Sequence, residues 1–290
     1  HTLEISKIFG NLVDPCAAVQ SFDETVLKNI KRDNIKMESM TDLLDHWKKD
    51  TSLKVATNVI VGLPGETCAS HLETLRQSIA HGFSEISTGN IILLPGSEME
   101  SDQSRQTYGL KTKYRLLSGS YGVYGGTPIF DFEESVRSSN SMTEEEMHYL
   151  RIVHFFVWAF WNLSFGRTLL EWIYNQTGKN PLDVLTDLIK PGMNPELDQF
   201  VSEYDTEART EWFETPDTLI EYYTKNFDQL IADTERDKLL CLKEGAPPEW
   251  WHGFSSLTEI VLLAASGWWF LFTLHILSYA LFNGYLGKMK

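Results

Sequence analysis

The stretch VATNVIVGLPGET, residues 55–67, decides the fold of this chain. Its first seven residues are almost all apolar and rich in β-branched side chains, which is typical of a parallel strand buried on both faces. The glycines and the proline of residues 62–65 then end the strand, and a helical pattern and a second apolar run, residues 86–94, follow. Strand, helix and strand at this spacing predict a βαβ unit. Several such units in series imply an α/β fold with a parallel sheet or barrel.

The residues before this stretch predict a further unit of the same kind. Residues 16–19 are strand-like, and Ser21 lies three positions before Glu24, the spacing of a helix-capping box. A second helical pattern, with apolar residues at helical spacing between positions 40 and 47, separates this helix from the next strand. We therefore expect residues 1–100 to form one α/β region.

The chain changes in character after residue 100. Residues 101–140 are rich in Gly, Ser and Tyr, and two strand-like runs flank the Gly-Gly pair at 125–126, which predicts a β-hairpin. Residues 141–290 show helical patterns dense in Trp and Phe, opened by a second capping-box spacing at 143–146. Later helix starts are indicated by Pro181, Pro195 and Pro216. We expect a hairpin connection followed by a mainly helical domain.

Composition and charge exclude some functions. The 290 residues include 25 Lys and Arg against 40 Asp and Glu. The resulting net charge of −15 argues against a sequence-independent nucleic-acid binder, because such a protein needs a cationic surface. Cys16, Cys68 and Cys241 form no CxxxCxxC cluster and no disulfide framework, which favours a reducing, cytoplasmic setting. Because the first residue is His1 rather than Met, we expect the chain to be part of a longer protein.

Four segments of the first hundred residues carry a family resemblance. They are AVQSFD at 18–23, VLKNIKR at 26–32, IVGLPGET at 60–67 and LLPGSEM at 93–99. Together they resemble the second half of a radical S-adenosylmethionine (SAM) barrel, and most closely that of the cobalamin-binding type. The resemblance implies an α/β fold: the C-terminal part of a partial (β/α)6 TIM-like barrel in residues 1–100, a β-hairpin in 101–140 and a mainly helical C-terminal domain in 141–290.

The resemblance also implies a binding site. It assigns contacts with SAM to six positions: Gln20 and Ser21 beside the ribose, Arg32 at the methionyl carboxylate, Ile60 and Gly62 at the adenine, and Leu94 beside the same ring. A guanidinium suits a carboxylate because it donates two hydrogen bonds in a fork. No catalytic residue and no metal ligand is assigned, because the CxxxCxxC loop that would hold a [4Fe-4S] cluster is missing from the sequence.

The family's chemistry supplies the functional expectation. In that family a [4Fe-4S] cluster cleaves SAM reductively to methionine and a 5′-deoxyadenosyl radical. The resemblance therefore implies an enzyme that uses SAM and an iron–sulfur cluster, with cobalamin as an open addition and a reducing partner such as flavodoxin or ferredoxin. Methyl transfer and rearrangement of a small-molecule metabolite are both open as reactions. Because the cluster ligands are missing, we expect residues 1–290 alone to be an inactive part of this enzyme.

Simpler interpretations of single residues stay open. Arg32, near a helix end, stabilises the helix dipole without any ligand, and Ser21 can act as a bare N-cap. Cys68, at a helix N-terminus, is either a structural thiol or one with a lowered pKa. His154, on an apolar helix face, is typical of a hydrogen-bonded core histidine.

Two other functions stay open for the whole chain. One is a non-radical α/β barrel enzyme that binds a phosphate at the Gly62–Gly65 turn, because glycines let a ligand approach the main chain. The other is a membrane-associated helical interaction protein. Residues 260–282 form 23 consecutive residues without formal charge, which meets the ~20-residue length of a membrane span. A helix buried in the helical domain gives the same pattern, so both expectations remain for this segment.

Overall fold

The computed structural model describes residues 16–34, 40, 44 and 55–232. These residues form two compact units. The first contains the described residues up to Lys111 together with Val136–Lys190, and the second contains Thr112–Ser135 together with the described residues from Pro191 onwards. Cys241, the apolar segment 260–282 and most of the helical pattern at 40–47 lie outside the described residues.

A parallel sheet lies at the centre of the first unit. Strand β1 (Ala56–Val61) pairs in parallel with β2 (Glu85–Asn90), with Ala56 opposite Glu85. Residues 16–20 add a third parallel line through two isolated bridges to β1. The three lines therefore lie side by side in chain order, as successive βαβ units require.

Among the described residues, a helix follows each of the first two lines. Helix α1 (Glu24–Asn29) follows the first line, and helix α2 (Cys68–Ala80) follows β1. The alternation of parallel strands with helices confirms the mixed α/β class. The described residues show no barrel, so the partial TIM-like barrel stays a prediction.

Strand β1 is covered on one face. Thr57, Val59 and Val61 are buried, whereas Asn58 is exposed and Ile60 is only partly buried. The predicted burial on both faces is therefore wrong. The apolar run masked the alternation, and Asn58, its polar member, marks the accessible face.

The N-cap of α1 is Asp23 rather than Ser21. The carboxylate of Asp23 accepts hydrogen bonds from the N–H groups of Thr25 and Val26, at 2.8 and 3.0 Å. These bonds satisfy two donors that the helix itself leaves open. The predicted capping box between Ser21 and Glu24 is wrong, because a carboxylate two residues further on takes the capping position.

After β2 the chain leads into the predicted hairpin. It first forms a short 3₁₀ turn (Glu98–Glu100) and helix α3 (Asp102–Tyr108). Strands β3 (Lys111–Tyr124) and β4 (Thr127–Ser138) then pair with each other. The glycines at 125 and 126 make the turn with φ of +59° and +84°, the left-handed conformations that suit a two-residue hairpin turn. The hairpin prediction is confirmed.

Helix α4 (Glu144–Phe156) begins with the capping box that the sequence predicts. The side chain of Thr143 accepts from the N–H of Glu146, and the carboxylate of Glu146 accepts from the N–H of Thr143. The buried side of α4 joins β1 and β4 in one apolar core, made of Val61, Leu93, Leu110, Val136, Met142, Met147 and Leu150.

A π-helical turn, Val157–Asn162, continues α4 and protects one edge of β2. The side-chain oxygen of Asn162 accepts from the N–H of Ile86 at 3.0 Å, and its side-chain amide donates to the carbonyl of Ile86 at 2.9 Å. The Asn162 side chain thus satisfies the backbone N–H and carbonyl of Ile86, with which a further strand would otherwise pair.

Three of the remaining helices start at the predicted prolines. Helix α5 (Arg167–Thr177) precedes them, and α6 (Pro181–Leu188), α7 (Pro195–Thr210) and α8 (Pro216–Lys225) each carry Pro in the first turn behind a capping Asn or Thr. Helices α5 and α6 belong to the first unit, and α7 and α8 belong to the second.

Arg115 of β3 organises the second unit. Its guanidinium donates to the carboxylate of Glu133 on β4 and lies over Trp212, 4.8 Å from the ring centroid. The carboxylate of Glu211, just after α7, lies 3.4 Å from the same guanidinium. Arg115 therefore ties the two strands of the hairpin to the segment that follows α7.

No helix in the described part of the chain combines the length and the apolar character needed to cross a membrane. The apolar segment 260–282, which carries the expectation of membrane association, lies outside that part. That expectation therefore stays a prediction.

We predict that Gly65→Ala destabilises the fold more than Gly96→Ala. Both glycines have positive φ, +80° and +81°. A Cβ at position 65 would also lie 2.6 Å from Nδ2 of Asn29, whereas a Cβ at position 96 meets nothing within 4 Å. Urea denaturation should give a loss of about 2–4 kcal/mol for Gly65→Ala and about 1 kcal/mol for Gly96→Ala. Equal losses would contradict the packing of Asn29 on this turn.

Candidate functional site

The carboxyl ends of the parallel strands bring Gln20 and Ile60 together. The N–H of Ile60 donates to the carbonyl of Gln20 at 3.1 Å, and Ile60 stands opposite Gly89 of β2. Gln20, Ile60 and Gly89 are thus neighbours across the sheet, near the carboxyl ends of its strands, where parallel sheets bind ligands. Gln20 has a φ of +58°, a left-handed conformation that is uncommon outside glycine. We call this side of the sheet the carboxyl edge.

Apolar side chains remain accessible at the carboxyl edge. In the segment after β2, Leu94 is 62% exposed and Ile92 is 38% exposed. Ile60 is partly buried at the end of β1. Accessible apolar side chains of this kind suit the face of a flat ring.

Arg32 lies beside the line formed by residues 16–20. Its Nη2 donates to the carbonyl of Ala18 at 2.6 Å, which holds the guanidinium close to the strand that ends at Gln20. Its Nε is buried, and no atom of the described residues accepts a hydrogen bond from it. Because a buried donor without a partner costs free energy, Arg32 has a hydrogen bond to give to a ligand or a water molecule.

Ser21 and Gly62 face the protein interior. Ser21 is fully buried, and its hydroxyl accepts from the N–H of Asp23 at 3.2 Å and lies 3.5 Å from Oγ1 of Thr74. A Cβ at Gly62 would lie 3.1 Å from Cε of Met147, so the small size of Gly62 serves the packing of the core. The expected contacts of Ser21 and Gly62 with a ligand stay predictions.

Glu66 has a role that the sequence did not reveal. It is fully buried, and its Oε2 accepts hydrogen bonds from the N–H groups of Gly62 at 2.8 Å and Leu63 at 3.4 Å. The turn after β1 is therefore closed on an internal carboxylate. Such a carboxylate needs these donors, because burial of an unpaired charge is very unfavourable.

Two histidines extend this contact into a buried line of hydrogen bonds. Nδ1 of His71 lies 2.9 Å from Oε1 of Glu66, and Nε2 of His71 lies 2.7 Å from Nε2 of His154. The ring centroids of the histidines are 5.0 Å apart. His154 is thus a hydrogen-bonded core histidine, as its pattern predicts. The two histidines lie on α2 and α4, 83 positions apart, so no local spacing indicates that they pair.

The contacts determine where protons lie. An ionised carboxylate only accepts, so Nδ1 of His71 donates to Glu66. When His71 is neutral, Nε2 of His154 donates to Nε2 of His71. Burial, with His71 and Arg151 nearby, holds the pKa of His154 well below its ordinary value of 6.5. His154 is therefore neutral near pH 7.

The closed turn argues against a phosphate at Gly62–Gly65. A phosphate site needs free backbone N–H groups that point at the anion, but the N–H groups of Gly62 and Leu63 donate to Glu66. The carboxylate also repels a second anion in the same place. The geometry therefore does not support the phosphate-binding enzyme.

Cys68 is a structural thiol. It is the first residue of α2, where the helix dipole favours a thiolate. Burial and the carboxylates of Glu146 and Glu66 nevertheless raise the pKa of Cys68 to about 11, so the suggested lowering is wrong. In the described residues, no group of three or more His, Cys, Asp or Glu side chains is arranged to hold a metal ion.

Comparison with known proteins gives one partial match. A stretch of 81 residues is 41% identical to threonylcarbamoyladenosine tRNA methylthiotransferase MtaB of Bacillus subtilis. It makes up 28% of this chain and only 17% of that protein. No family model matches the chain. The relative is an enzyme by its name, and the match supports a relation to the radical SAM family at most.

We predict that the free energy of unfolding falls as the pH drops below 6.5 and that His154→Gln removes part of this fall. In the unfolded chain His154 takes up a proton below its ordinary pKa of 6.5, whereas in the folded chain its lowered pKa opposes uptake. The unfolded state therefore binds more protons, and each pH unit in this window costs up to about 1.4 kcal/mol. Urea denaturation between about pH 8 and pH 5 measures the slope.

His81→Gln is the matched control, because the hydrogen bonds from Glu66 through His71 to His154 do not include His81. Its pH slope shows the effect of losing a histidine elsewhere, at the end of the helix that carries His71. A slope in His154→Gln that equals that of the control would contradict the assignment.

We predict that Glu66→Gln destabilises the fold far more than Glu73→Gln. The amide at position 66 loses the charge of the carboxylate and places an NH₂ donor against other donors, so we expect a loss of about 2–3 kcal/mol. Glu73 forms a surface pair with Arg76, and its loss should cost at most about 1 kcal/mol. Urea denaturation at neutral pH compares the two, and similar values would contradict the role of Glu66.

Proposed function

We propose that this chain is part of a radical SAM enzyme and that it binds SAM at the carboxyl edge. The observation that carries the proposal is the alignment of Gln20 and Ile60 at the ends of neighbouring parallel strands, with the guanidinium of Arg32 held against the first of them. The partial match to the methylthiotransferase supports the same assignment.

The residues at the carboxyl edge fit the chemistry of SAM. Nε of Arg32 is buried without an acceptor among the described residues, and the methionyl carboxylate is an acceptor of opposite charge. Ile60 and Leu94 offer apolar surface to the adenine ring. Gln20 carries an amide that both donates and accepts, which suits the hydroxyls of a ribose.

The residues described here do not fit a [4Fe-4S] cluster. The cluster needs several converging thiolates. Of the described cysteines, Cys16 is exposed at the start of the line formed by residues 16–20, and Cys68 is a free thiol in α2. We infer that the cluster ligands belong to residues that this sequence does not contain. Cobalamin, and a reducing partner such as flavodoxin or ferredoxin, are proposals that rest on the family resemblance alone.

We propose a small molecule rather than a nucleic acid as the substrate. The relative acts on tRNA by its name, and tRNA is a polyanion that requires cationic contacts. The net charge of −15 means that this chain as a whole repels a polyanion. Methyl transfer and rearrangement of a small metabolite both remain open as the reaction.

We predict that Arg32→Ala weakens the binding of SAM to the 290-residue chain by about 10- to 100-fold, because it removes the donor to the methionyl carboxylate. Isothermal titration calorimetry measures the affinity. Lys31→Ala is the matched control, because Lys31 is the neighbouring cation and pairs on the surface with Glu98. Its loss should change the affinity by less than about twofold.

Adenosine sharpens this test because it lacks the carboxylate. Arg32→Ala should weaken SAM and leave the affinity for adenosine unchanged. If both ligands lose affinity equally, Arg32 supports the fold and does not meet the carboxylate. If the unsubstituted chain binds neither ligand, the proposed function fails. We also expect no 5′-deoxyadenosine from the chain after iron–sulfur reconstitution, because the cluster ligands are missing from it.

A further inference from the structure

A continuous line of hydrogen bonds runs from the turn after β1 to helix α4. The N–H groups of Gly62 and Leu63 donate to Glu66, the other oxygen of Glu66 meets Nδ1 of His71, and Nε2 of His71 meets Nε2 of His154. Glu66 and His71 are completely buried. The turn that this line closes directly follows Ile60 and Val61, whose strand ends at the carboxyl edge.

The line holds a limited number of protons. Two imidazole Nε2 atoms 2.7 Å apart need one proton between them, because two lone pairs or two N–H groups in that place repel. His71 already donates from Nδ1 to Glu66. The pair therefore carries either no charge or one positive charge. A second extra proton breaks the bond between His71 and His154.

The neighbouring charges oppose that second proton. On α4, Arg151 adds positive charge close to His154. On α2, Cys68 lies near Glu66 and Glu146, and its thiol stays protonated at neutral pH. Tyr149 on α4 has a raised pKa through burial and stays a neutral phenol. The carboxylates of α6 are paired elsewhere: Asp183 with Arg76, and Asp187 with Lys179 and Lys190.

A metal ion is a poor alternative occupant for this pair. Two nitrogen ligands of one tetrahedral zinc ion lie roughly 3.3 Å apart, since each bond is about 2.0 Å long. The observed 2.7 Å is a hydrogen-bond distance. Within the described ranges, no third His, Cys, Asp or Glu side chain completes a ligand set.

We propose that His71 and His154 are positioning residues for the carboxyl edge: they share one proton between their Nε2 atoms, hold Glu66 on the amides of Gly62 and Leu63, and release that turn when both imidazoles are fully protonated. The positioning of the turn is a property of the ligand-free protein. Only its consequence for SAM rests on the proposed function. The line is intact near neutral pH and opens only in acid, because burial holds the pKa of His154 well below its ordinary value of 6.5.

The direct test uses the full chain without a ligand. Solution NMR follows the imidazole ¹⁵N shifts and the hydrogen-exchange protection factors of the Gly62 and Leu63 amides against pH. We expect protection to be constant above pH 6.5 and to fall more than about tenfold in acid, in step with the His154 signal. Protection factors, unlike raw rates, already remove the intrinsic pH dependence of exchange.

Three variants separate positioning from plain packing. His154→Phe fills the space without a hydrogen bond, so we expect reduced protection of both amides at every pH. His154→Gln offers an amide partner that does not titrate, so we expect restored protection and no acid transition. His81→Gln should behave as the unsubstituted chain. An acid transition that persists in His154→Gln, or unchanged protection in His154→Phe, overturns the proposal.

A ligand arm separates this inference from the proposed function. In the unsubstituted chain the affinity for SAM should fall more than about tenfold between neutral pH and the acid transition, and in His154→Gln it should not. If the amides respond as expected but SAM binds at no pH, the positioning role stands and the proposed function fails. If SAM binds with one affinity in all variants at every pH, the proposed function stands and the positioning role fails.

Discussion

The carboxylate of Glu66, held by the amides of Gly62 and Leu63, is the interaction on which the first unit depends. A fully buried negative charge is tolerated only where donors surround it, and here they come from two backbone N–H groups and His71. The contact fixes the direction in which the chain leaves β1 and starts α2. Because His71 meets His154, the same contact also sets how α2 lies against α4.

This interaction also divides the turn into an occupied side and an open side. The backbone donors of the turn are used inside the protein, and Gly62 packs close to Met147. A ligand at the carboxyl edge therefore meets side chains and strand ends rather than a glycine-rich anion cradle. The accessible groups are the partly exposed Gln20 and the apolar surface of Ile60 and Leu94, and Nε of Arg32 is a buried donor beside them that has no acceptor among the described residues. These groups suit a ligand that joins a flat ring to a carboxylate better than they suit a phosphate.

Local patterns predicted what local chemistry determines. The strand at β1, the Gly-Gly turn of the hairpin, the capping box at Thr143 and the proline helix starts are all confirmed, because each depends on residues within a few positions. The cap at Ser21 failed because Asp23 competes for the same donors. The partnership of His71 with His154 could not be predicted, because 83 residues separate them and only the packing of α2 on α4 joins them.

The pKa of Cys68 shows the same limit for the candidate site. Its position at a helix start left a lowered pKa open, but burial, together with the carboxylates of Glu146 and Glu66 nearby, raises the pKa instead. The six expected SAM contacts all lie between Gln20 and Leu94 and were named from motifs. The structure separates them into an open set and an interior set, with Ser21 and Gly62 inside. The contacts of both sets with SAM stay predictions. Motifs thus name positions at the strand ends, but whether a side chain such as that of Ser21 lies inside or outside depends on packing against elements far away in the sequence.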